Sequence, residues 1–252
     1  MSETTINLSA ADGSALKGTW CTPEGPGPFP AVLCIHGLTL SQGIFAEPAL
    51  ALAQSGIATL RLDLRGHGAS GGRLQDQGFE DELDDVRRGF EGLAALPGAD
   101  PARRGLLGFS LGGALGAVLA VKDASYKALA LWSPLLKTGP WNEERQTQYG
   151  APKDGFQEIW DKVLVNERLF SEAQDHDPYR AAVEYAGPFF VCHGGKDRNH
   201  PQARSVEAAN ARQAAGRSVA AFFPPLSGHR YHQDPERRMR DSLTAAFFGS
   251  AL

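Results

Sequence analysis

The stretch Gly105-Leu-Leu-Gly-Phe-Ser-Leu-Gly-Gly113 decides how the rest of this 252-residue chain is interpreted. It contains the pattern Gly-x-Ser-x-Gly at 108–112, with a short apolar run before it and small residues after it. A serine at a sharp turn between a strand and a helix needs small residues two positions away, because the chain passes close to its neighbours there. The pattern therefore predicts a strand over 105–108, a turn that exposes Ser110 as a nucleophile, and a helix over 111–121. In the alternative interpretation, Ser110 only caps that helix.

Two backbone amides are candidates for an oxyanion hole, which stabilises the negative charge that develops on a substrate oxygen. The amide of Leu111 begins the predicted helix, so it has no helical partner and can donate to that oxygen. His36-Gly37-Leu38 directly follows the apolar run 31–35, and Gly37 permits a sharp turn that can aim the Leu38 amide at the same place. We therefore predict that Leu38 and Leu111 form the oxyanion hole, and that His36 holds the loop by hydrogen bonds.

An aspartate and a histidine follow the last two predicted strands. Phe189–Cys192 is an apolar run followed by His-Gly-Gly-Lys-Asp197, and the run 219–223 is followed by a loop that carries His229. A serine hydroxyl is a poor nucleophile until a base takes its proton, and a carboxylate must orient that base. The order Ser110, Asp197, His229 along the chain therefore predicts a catalytic triad in which His229 is the base and Asp197 orients it.

Other histidines and aspartates are alternatives for these roles. His232 is the second choice for the base, whereas His193 is expected to pack or hydrogen-bond at its strand end. His200 lies three residues after the predicted acid, and Asp175 and Asp177 are further carboxylates in the same half of the chain.

Apolar runs alternate with amphipathic segments along most of the chain. This alternation predicts an α/β fold in which a mostly parallel central sheet is flanked by helices on both faces. Short runs around Ala11-Asp-Gly13 predict an antiparallel hairpin before that sheet. We expect one domain over 1–252, with a small cap insertion at 137–187 where the alternation lapses. Such an insertion would lie over the carboxyl ends of the strands, where open α/β sheets bind ligands.

The insertion is polar but carries aromatic side chains. Trp141, Tyr149, Phe156 and Trp160 are the candidate substrate-binding residues, because rings at a pocket wall favour flat or long apolar acyl groups. Phe156 and Trp160 are four positions apart, which predicts one face of a helix. The alternative is that these rings form a small local core.

Composition limits the classes of partner. The net charge is −4, which gives no cationic surface for nucleic acid or an anionic membrane. The acidic cluster at 80–85 is expected to be the solvated start of a helix. Three cysteines without metal-ligand spacing predict reduced thiols, with Cys34 and Cys192 buried. The sequence starts without a signal-peptide pattern, and no apolar run is long enough to span a membrane, so a cytoplasmic protein is expected. No metal or organic cofactor is expected, and the oligomeric state is left open.

Taken together, these motifs resemble the α/β-hydrolase superfamily over nearly the whole chain. The motifs are His-Gly at 36–37, Asp-x-Arg-Gly-His-Gly at 63–68, Gly-Phe-Ser-Leu-Gly-Gly at 108–113, His-Gly-Gly-Lys-Asp at 193–197 and Gly-His at 228–229. Single-domain esterases of the cinnamoyl (feruloyl) esterase group are the most similar, with the serine aminopeptidase-like and dienelactone hydrolase-like groups. The resemblance implies the α/β-hydrolase fold and carboxylic ester hydrolysis through an acyl-enzyme. A serine nucleophile argues against epoxide hydrolase, dehalogenase and dienelactone hydrolase chemistry.

Three positions depart from the pattern of many of these relatives. Leu38 stands where an aromatic residue is common, and Phe109 stands where a histidine or aspartate is common. Arg198-Asn199-His200 stands where small apolar residues often follow the acid. These departures leave the predicted triad intact and bear on the substrate.

The function expected from the sequence is that of a serine carboxylesterase. Its substrates would be small-molecule esters with small to medium or aromatic, hydroxycinnamoyl-type acyl groups. A peptidase, amidase or thioesterase could use the same triad. Acidic residues in the insertion could anchor a free amino end, and the candidates are Glu143, Glu144, Asp154, Glu158 and Asp161. A hydrolase fold that only senses a ligand is the non-catalytic alternative.

Overall fold

A computed structural model describes residues 1–159, 162–232 and 234–252, without the side chains of residues 140–142, 144 and 145. In this part of the chain, one sheet is built from the strands β1 (Ser2–Ser9), β2 (Ala15–Thr22), β3 (Phe29–Ile35), β4 (Ala58–Leu62), β5 (Ala99–Phe109), β6 (Ala128–Trp132), β9 (Phe189–Cys192) and β10 (Ala220–Phe222). Two shorter strands, β7 (Phe156–Glu158) and β8 (Leu164–Asn166), pair with each other.

The strands of the large sheet follow the order β1-β2-β4-β3-β5-β6-β9-β10. The hairpin β1–β2 is antiparallel and β2 is antiparallel to β4, whereas every pairing from β4 to β10 is parallel. This arrangement confirms the predicted fold class, a mostly parallel sheet of the α/β-hydrolase type preceded by a hairpin. Because β3, β4, β5, β6, β9 and β10 run in the same direction, their carboxyl ends all lie at one edge of the sheet.

Helices cover both faces of the sheet. They are α1 (Ala46–Gln54), α2 (Phe79–Leu93), α3 (Leu111–Ala120), α4 (Thr138–Tyr149), α5 (Arg168–Ser171), α6 (Pro178–Glu184), α7 (Gln202–Ala214) and α8 (Asp234–Ala251). Successive side chains of a strand point to opposite faces. In β3, Leu33 and Ile35 therefore join the apolar cluster that contains α2 and α3, whereas Val32 and Cys34 join the cluster that contains Phe248 of α8. Burial on both faces accounts for the continuous apolar run of this strand.

The start of α2 differs from the expected solvated helix start. Glu82 and Asp85 are fully buried, although neighbouring Glu80 is exposed. Asp85 accepts hydrogen bonds from the backbone N–H and the Nε–H of Arg65, both at 2.8 Å. The expectation fails for these two residues because they face the sheet and the loop after β4, and only the outer residues of the cluster are solvated.

The segment 137–187 lies between β6 and β9 in the chain and holds α4, the β7–β8 hairpin, α5 and α6. The helix predicted around Phe156 is wrong. Asp154 and Gly155 have φ values of 53° and 82°, and this left-handed turn leads the chain into β7. In β7, Phe156 is exposed and Gln157 is buried, which is the alternation of a strand. Trp160 lies outside the described residues.

This segment is attached to the loop that follows β4. The Asn166 side chain donates to the carbonyl of Gln75 at 3.0 Å, and His176 Nε2 lies 2.6 Å from Glu80 Oε1 at the start of α2. Gln75 lies in the loop between β4 and α2, and Glu80 lies in the first turn of α2. That the segment forms a cap over Ser110 stays a prediction.

The three cysteines are buried and form no disulfide. Cys34 and Cys192 lie within strands of the core, as predicted. Among the described helices, none combines the length and the apolar character that a membrane span requires.

Candidate active site

Ser110 forms a strained turn between β5 and α3. Its backbone angles are φ 55° and ψ −116°, a conformation that costs a non-glycine residue on the order of 1–3 kcal/mol. Neighbouring segments hold the turn in place: the Ser110 N–H donates to the carbonyl of Trp132 at 2.9 Å, and the Ser110 carbonyl accepts from the N–H of Leu135 at 3.1 Å. The strand, turn and helix that the motif predicts are therefore all present.

Gly112 explains why the motif requires a small residue after the serine. A Cβ atom at this position would lie 2.4 Å from the carbonyl oxygen of Ile35 and 2.5 Å from that of His36. The first turn of α3 therefore lies directly against the end of β3. The same approach places the loop after β3 beside the serine, because a Cβ on Gly37 would lie 2.9 Å from Ser110 Cβ.

This packing brings the two predicted oxyanion-hole residues next to Ser110. Leu111 is the first residue of α3, so its N–H has no partner one turn earlier in the helix. Leu38 follows Gly37 in the loop, and both leucines are buried. The carboxyl end of β3 and the amino end of α3 thus meet beside Ser110, and the role of the Leu38 and Leu111 amides as an oxyanion hole stays a prediction.

His36 holds this loop, as expected. Its Nε2 accepts from the backbone N–H of Leu64 at 3.1 Å, and its Nδ1 donates to the carbonyl of Gly37 at 2.9 Å. Burial and the nearby ring of His67 lower the pKa of His36 to about 3. The ring is therefore neutral at physiological pH and links the loops after β3 and β4.

Asp197, His229 and Ser110 form a continuous line of hydrogen bonds. His229 Nδ1 lies 2.7 Å from Asp197 Oδ2, and His229 Nε2 lies 3.0 Å from Ser110 Oγ. The Asp197 side chain is fully buried, whereas that of His229 keeps 13% of its surface exposed. The three residues come from the carboxyl ends of β9, β10 and β5, which all lie at the same edge of the sheet.

A second histidine shares the carboxylate of Asp197. His193 Nε2 lies 3.1 Å from Asp197 Oδ2, and the backbone N–H groups of Asn199 and His200 donate to Oδ1 at 2.8 and 3.0 Å. Burial by itself would raise the pKa of Asp197, but the hydrogen bonds from His193 and His229 hold that pKa well below its ordinary value. The carboxylate is therefore ionised, and it fixes the His229 proton on Nδ1 so that the Nε2 lone pair faces Ser110.

His200, one of the alternative histidines in the sequence, lies beside Ser110, a position that sequence reasoning did not predict. Its Nε2 lies 3.4 Å from Ser110 Oγ, and its ring meets that of His229 edge-on with 5.1 Å between centroids. A local signal for this position does exist. Asp197 is followed by residues whose backbone amides can close on its own side chain, and such an Asx turn fixes the direction of the next residues.

Two of the other residues considered for the acid and the base lie outside the line of hydrogen bonds. Asp177 caps α6 by accepting from the N–H of Arg180 at 2.9 Å. His232 is exposed and lines a cavity of about 570 Å³ beside the site, together with Phe109, whose ring packs against His229 at 4.9 Å between centroids. Among the described residues, no three His, Cys, Asp or Glu side chains are grouped so that they could hold a metal ion.

The four predicted substrate-binding residues all belong to the insertion. Tyr149 is half-buried at the last residue of α4, and Phe156 is exposed in β7. The side chain of Trp141 and the whole of Trp160 lie outside the described residues. Their assignment to a substrate pocket stays a prediction.

Comparison with known proteins supports the fold and the class of enzyme. Residues 27–182 match the family model described as serine aminopeptidase, S33. An uncharacterised protein of Mycobacterium tuberculosis is 37% identical over 129 residues, which are 51% of this chain and 44% of that protein. This chain spans less than half the length of the curated relatives that it matches.

Two solved esterase structures superpose on nearly the whole chain. Est1E of Butyrivibrio proteoclasticus, solved with bound ferulic acid, has a TM-score of 0.84 at 21% identity and covers 98% of both chains. The Pyrococcus furiosus esterase has a TM-score of 0.75 at 18% identity, with 99% of this chain and 91% of that chain covered. At these identities the likeness establishes the fold.

Proposed function

This chain belongs to the serine aminopeptidase S33 family of α/β hydrolases, and we propose that it hydrolyses carboxylic esters through an acyl-enzyme on Ser110. The observation that carries the proposal is the line of hydrogen bonds from buried Asp197 through His229 to Ser110, with distances of 2.7 and 3.0 Å. A carboxylate, an imidazole and a hydroxyl in this order form the arrangement that activates a serine.

In the proposed acylation step, His229 Nε2 takes the proton of Ser110 while Oγ attacks the acyl carbon. The carbonyl oxygen becomes an oxyanion that accepts hydrogen bonds from the amides of Leu38 and Leu111. Such donors contribute roughly 3 kcal/mol each to transition-state stabilisation. His229 then gives its proton to the leaving alcohol, and Asp197 stabilises the imidazolium that exists in between.

Water completes the cycle in the second step. His229 takes a proton from the water as its oxygen attacks the acyl carbon, and the same oxyanion hole holds the intermediate. The bond to Oγ breaks, Ser110 regains its proton from His229, and the acid leaves. The reaction as proposed uses side chains and backbone of this chain alone, without a cofactor, in a cytoplasmic enzyme that acts on small-molecule esters.

For the acyl group, we propose small to medium chains and aromatic, hydroxycinnamoyl-type groups. Est1E, which has the same fold, was solved with ferulic acid, a hydroxycinnamic acid. The aromatic residues of the insertion, Tyr149 and Phe156 among them, would supply the wall against which a flat acyl group packs.

A peptidase is the second candidate, because the matching family is described as a serine aminopeptidase. An aminopeptidase needs an anion near the nucleophile to bind the free amino end of a peptide. The described acidic side chains of the insertion that we considered for this role, Glu143, Asp154 and Glu158, are exposed to solvent. Exposed carboxylates bind a cation weakly, so the ester reading is preferred.

The proposal is tested by covalent labelling and by a matched pair of substrates. A fluorophosphonate probe should label the wild-type protein and fail to label Ser110→Ala. Turnover of an ester and of the anilide with the same acyl group should favour the ester. A wild-type protein that resists the probe would support the ligand-sensing alternative, and faster turnover of an aminoacyl anilide would support the peptidase.

A further inference from the structure

Two imidazole rings reach the hydroxyl of Ser110. His229 Nε2 lies 3.0 Å from Oγ and His200 Nε2 lies 3.4 Å from the same atom. The first distance belongs to a normal hydrogen bond, whereas the second is long for one. Because Ser110 has a single O–H, which His229 accepts, His200 is close to the reacting oxygen without being its base.

The position of His200 is set by its backbone. Its N–H donates to Asp197 Oδ1 at 3.0 Å, and its carbonyl lies 3.2 Å from His193 Nε2. Both contacts remain when the side chain is changed. The imidazole of His200 can therefore be removed while the hydrogen bonds that these backbone groups make to Asp197 and His193 persist.

The proposed cycle assigns the imidazole of His200 to the side of Ser110 from which the leaving group departs, because this ring contacts that of His229. His229 must face that side, because it protonates the leaving alcohol in the proposed cycle. The ring of His200 contacts the ring of His229 edge-on, with 5.1 Å between centroids. After the alcohol has left, water enters the same space, within reach of both Nε2 atoms.

We propose that His200 orients the water that hydrolyses the acyl-enzyme, an inference that rests on the proposed function. A water molecule has two O–H groups. One donates to His229 Nε2 and the other to His200 Nε2, so that a lone pair of the water oxygen is aimed at the acyl carbon. Orientation of a reactant in this way lowers the entropy cost of the attack.

The proton balance of the step involves only His229. The oxygen–carbon bond forms, the carbonyl π electrons move to the oxyanion, and His229 Nε2 takes the proton of the first O–H. When the bond to Ser110 Oγ breaks, that proton passes to Oγ. His200 accepts a hydrogen bond throughout and gains or loses no proton, which makes it a positioning residue in this step.

This role predicts a difference between water and an alcohol as the second nucleophile. Methanol has one O–H, which it must give to His229, so it has no hydrogen for His200. Removal of the His200 imidazole should therefore slow hydrolysis more than methanolysis. The ratio of methyl ester to free acid formed in dilute methanol reports on the acyl-enzyme alone, whichever step limits the overall rate.

The test compares His200→Ala, His200→Gln and a control, Arg198→Ala, on p-nitrophenyl acetate with a fixed concentration of methanol. Arg198 is an exposed residue of the same loop, directly after Asp197. In His200→Ala the ratio of methyl acetate to acetate should rise about tenfold, which corresponds to the loss of one hydrogen bond. His200→Gln, whose amide can accept the same hydrogen bond, should restore most of the lost preference for water, and Arg198→Ala should match the wild type.

The outcomes separate this inference from the proposal on which it rests. An unchanged product ratio in His200→Ala, with normal fluorophosphonate labelling, would overturn the role of His200 and leave the esterase proposal standing. Equal slowing of both products would also overturn it, because a merely structural defect has that effect. A wild-type protein that forms no acyl-enzyme overturns both.

Discussion

His193 Nε2 lies 3.1 Å from Asp197 Oδ2, and the two side chains have exposed fractions of 1% and 0%. The other ring nitrogen of His193 lies 2.7 Å from the hydroxyl of Ser205 in α7. Since the carboxylate accepts from Nε2, that nitrogen carries the proton and Nδ1 accepts from Ser205. The acid of the proposed triad is thereby tied to α7, whose Gln202 side chain also donates to the carbonyl of His193 at 2.7 Å.

His193→Leu should therefore destabilise the protein as well as loosen Asp197. It removes a donor to a buried charged group, and such a hydrogen bond contributes about 1.5–3 kcal/mol. We expect a loss of that size in the free energy of unfolding, measured by urea denaturation. His193→Gln keeps an N–H donor and should lose less. Equal losses in the two variants would mean that the shape of the ring matters and the donor does not.

The proposed triad predicts near-complete loss of turnover on substitution. Ser110→Ala and His229→Ala should each lower kcat on an activated ester by at least about a thousandfold, because triad members act as a unit. Asp197→Asn should lose a comparable factor, since an amide does not fix the His229 proton on Nδ1. Unfolding midpoints close to that of the wild type are the control. A folded Asp197→Asn with wild-type kcat would show that another group orients His229.

Glu82 predicts a pH dependence of stability. Neither of its carboxylate oxygens has a hydrogen-bond partner in the described residues, and burial, together with Asp85 and Asp81, raises its pKa to about 8. The folded protein therefore holds a proton that the unfolded chain releases near the ordinary glutamate pKa of about 4.3. This contribution to stability is full below that value and is lost as the pH rises through the folded pKa.

Glu82→Gln removes this titration. Relative to the variant, the wild type should lose more than about 1 kcal/mol of unfolding free energy between about pH 5 and pH 8. Denaturant titrations of both proteins across this range measure the difference. Parallel curves would mean that the Glu82 carboxyl ionises in the folded protein as it does in the unfolded chain.

A side chain at position 112 would clash with the backbone, and the clash could not be relieved by moving a neighbouring side chain. Gly112→Ala would place its Cβ 2.4 Å from the carbonyl oxygen of Ile35, so β3 and α3 would have to separate. We expect a loss of about 3 kcal/mol or more in unfolding free energy. The matched control is Gly249→Ala, because a Cβ there meets nothing within 4 Å and alanine favours the helix α8 by about 0.5–1 kcal/mol.

Phe156 tests the role of the insertion in selecting the acyl group. Phe156→Ala should lower kcat/KM on a cinnamoyl ester relative to an acetyl ester by about fivefold, the equivalent of roughly 1 kcal/mol of aromatic contact. Leu164→Ala is the control, because Leu164 is an apolar residue of the same hairpin with a similar exposed fraction, 42% against 36% for Phe156. If both variants change the ratio alike, the hairpin rather than the ring determines the preference.

Sequence reasoning placed residues correctly where they lie in the turn or loop that follows a strand of the parallel sheet. Ser110, Asp197 and His229 could be placed at one edge because parallel strands end there together, and the order of the strands did not have to be known. It failed where contacts depend on the path of a loop. The approach of His193 and His200 to the site is set by residues 194–200, which fold back onto Asp197.

Two other predictions, the helix around Phe156 and the solvated position of Glu82, were wrong although the sequence also contained a signal for the observed structure. Phe156 and Trp160 have helical spacing, but Asp154-Gly155 is a pair that tolerates the left-handed turn of a hairpin. Glu82 lies three residues after Phe79 and four before Val86, so the helical period that buries those two residues buries the carboxyl as well. The charge of a carboxylate favours an exposed position, but the packing of this helix face against the core buries Glu82.

Ser110 and His229 are 119 residues apart in the chain, so the site forms only when both distant segments are folded. His229 depends on β10, a terminal strand that pairs with β9 alone and over only three residue pairs. Regions with few buried contacts open at a lower free energy than the whole protein. If β10 detached from β9, the rest of the molecule would stay compact, but Ser110 would lose its base and become unreactive. The reactivity of Ser110 therefore reports whether the last third of the chain is folded onto the sheet.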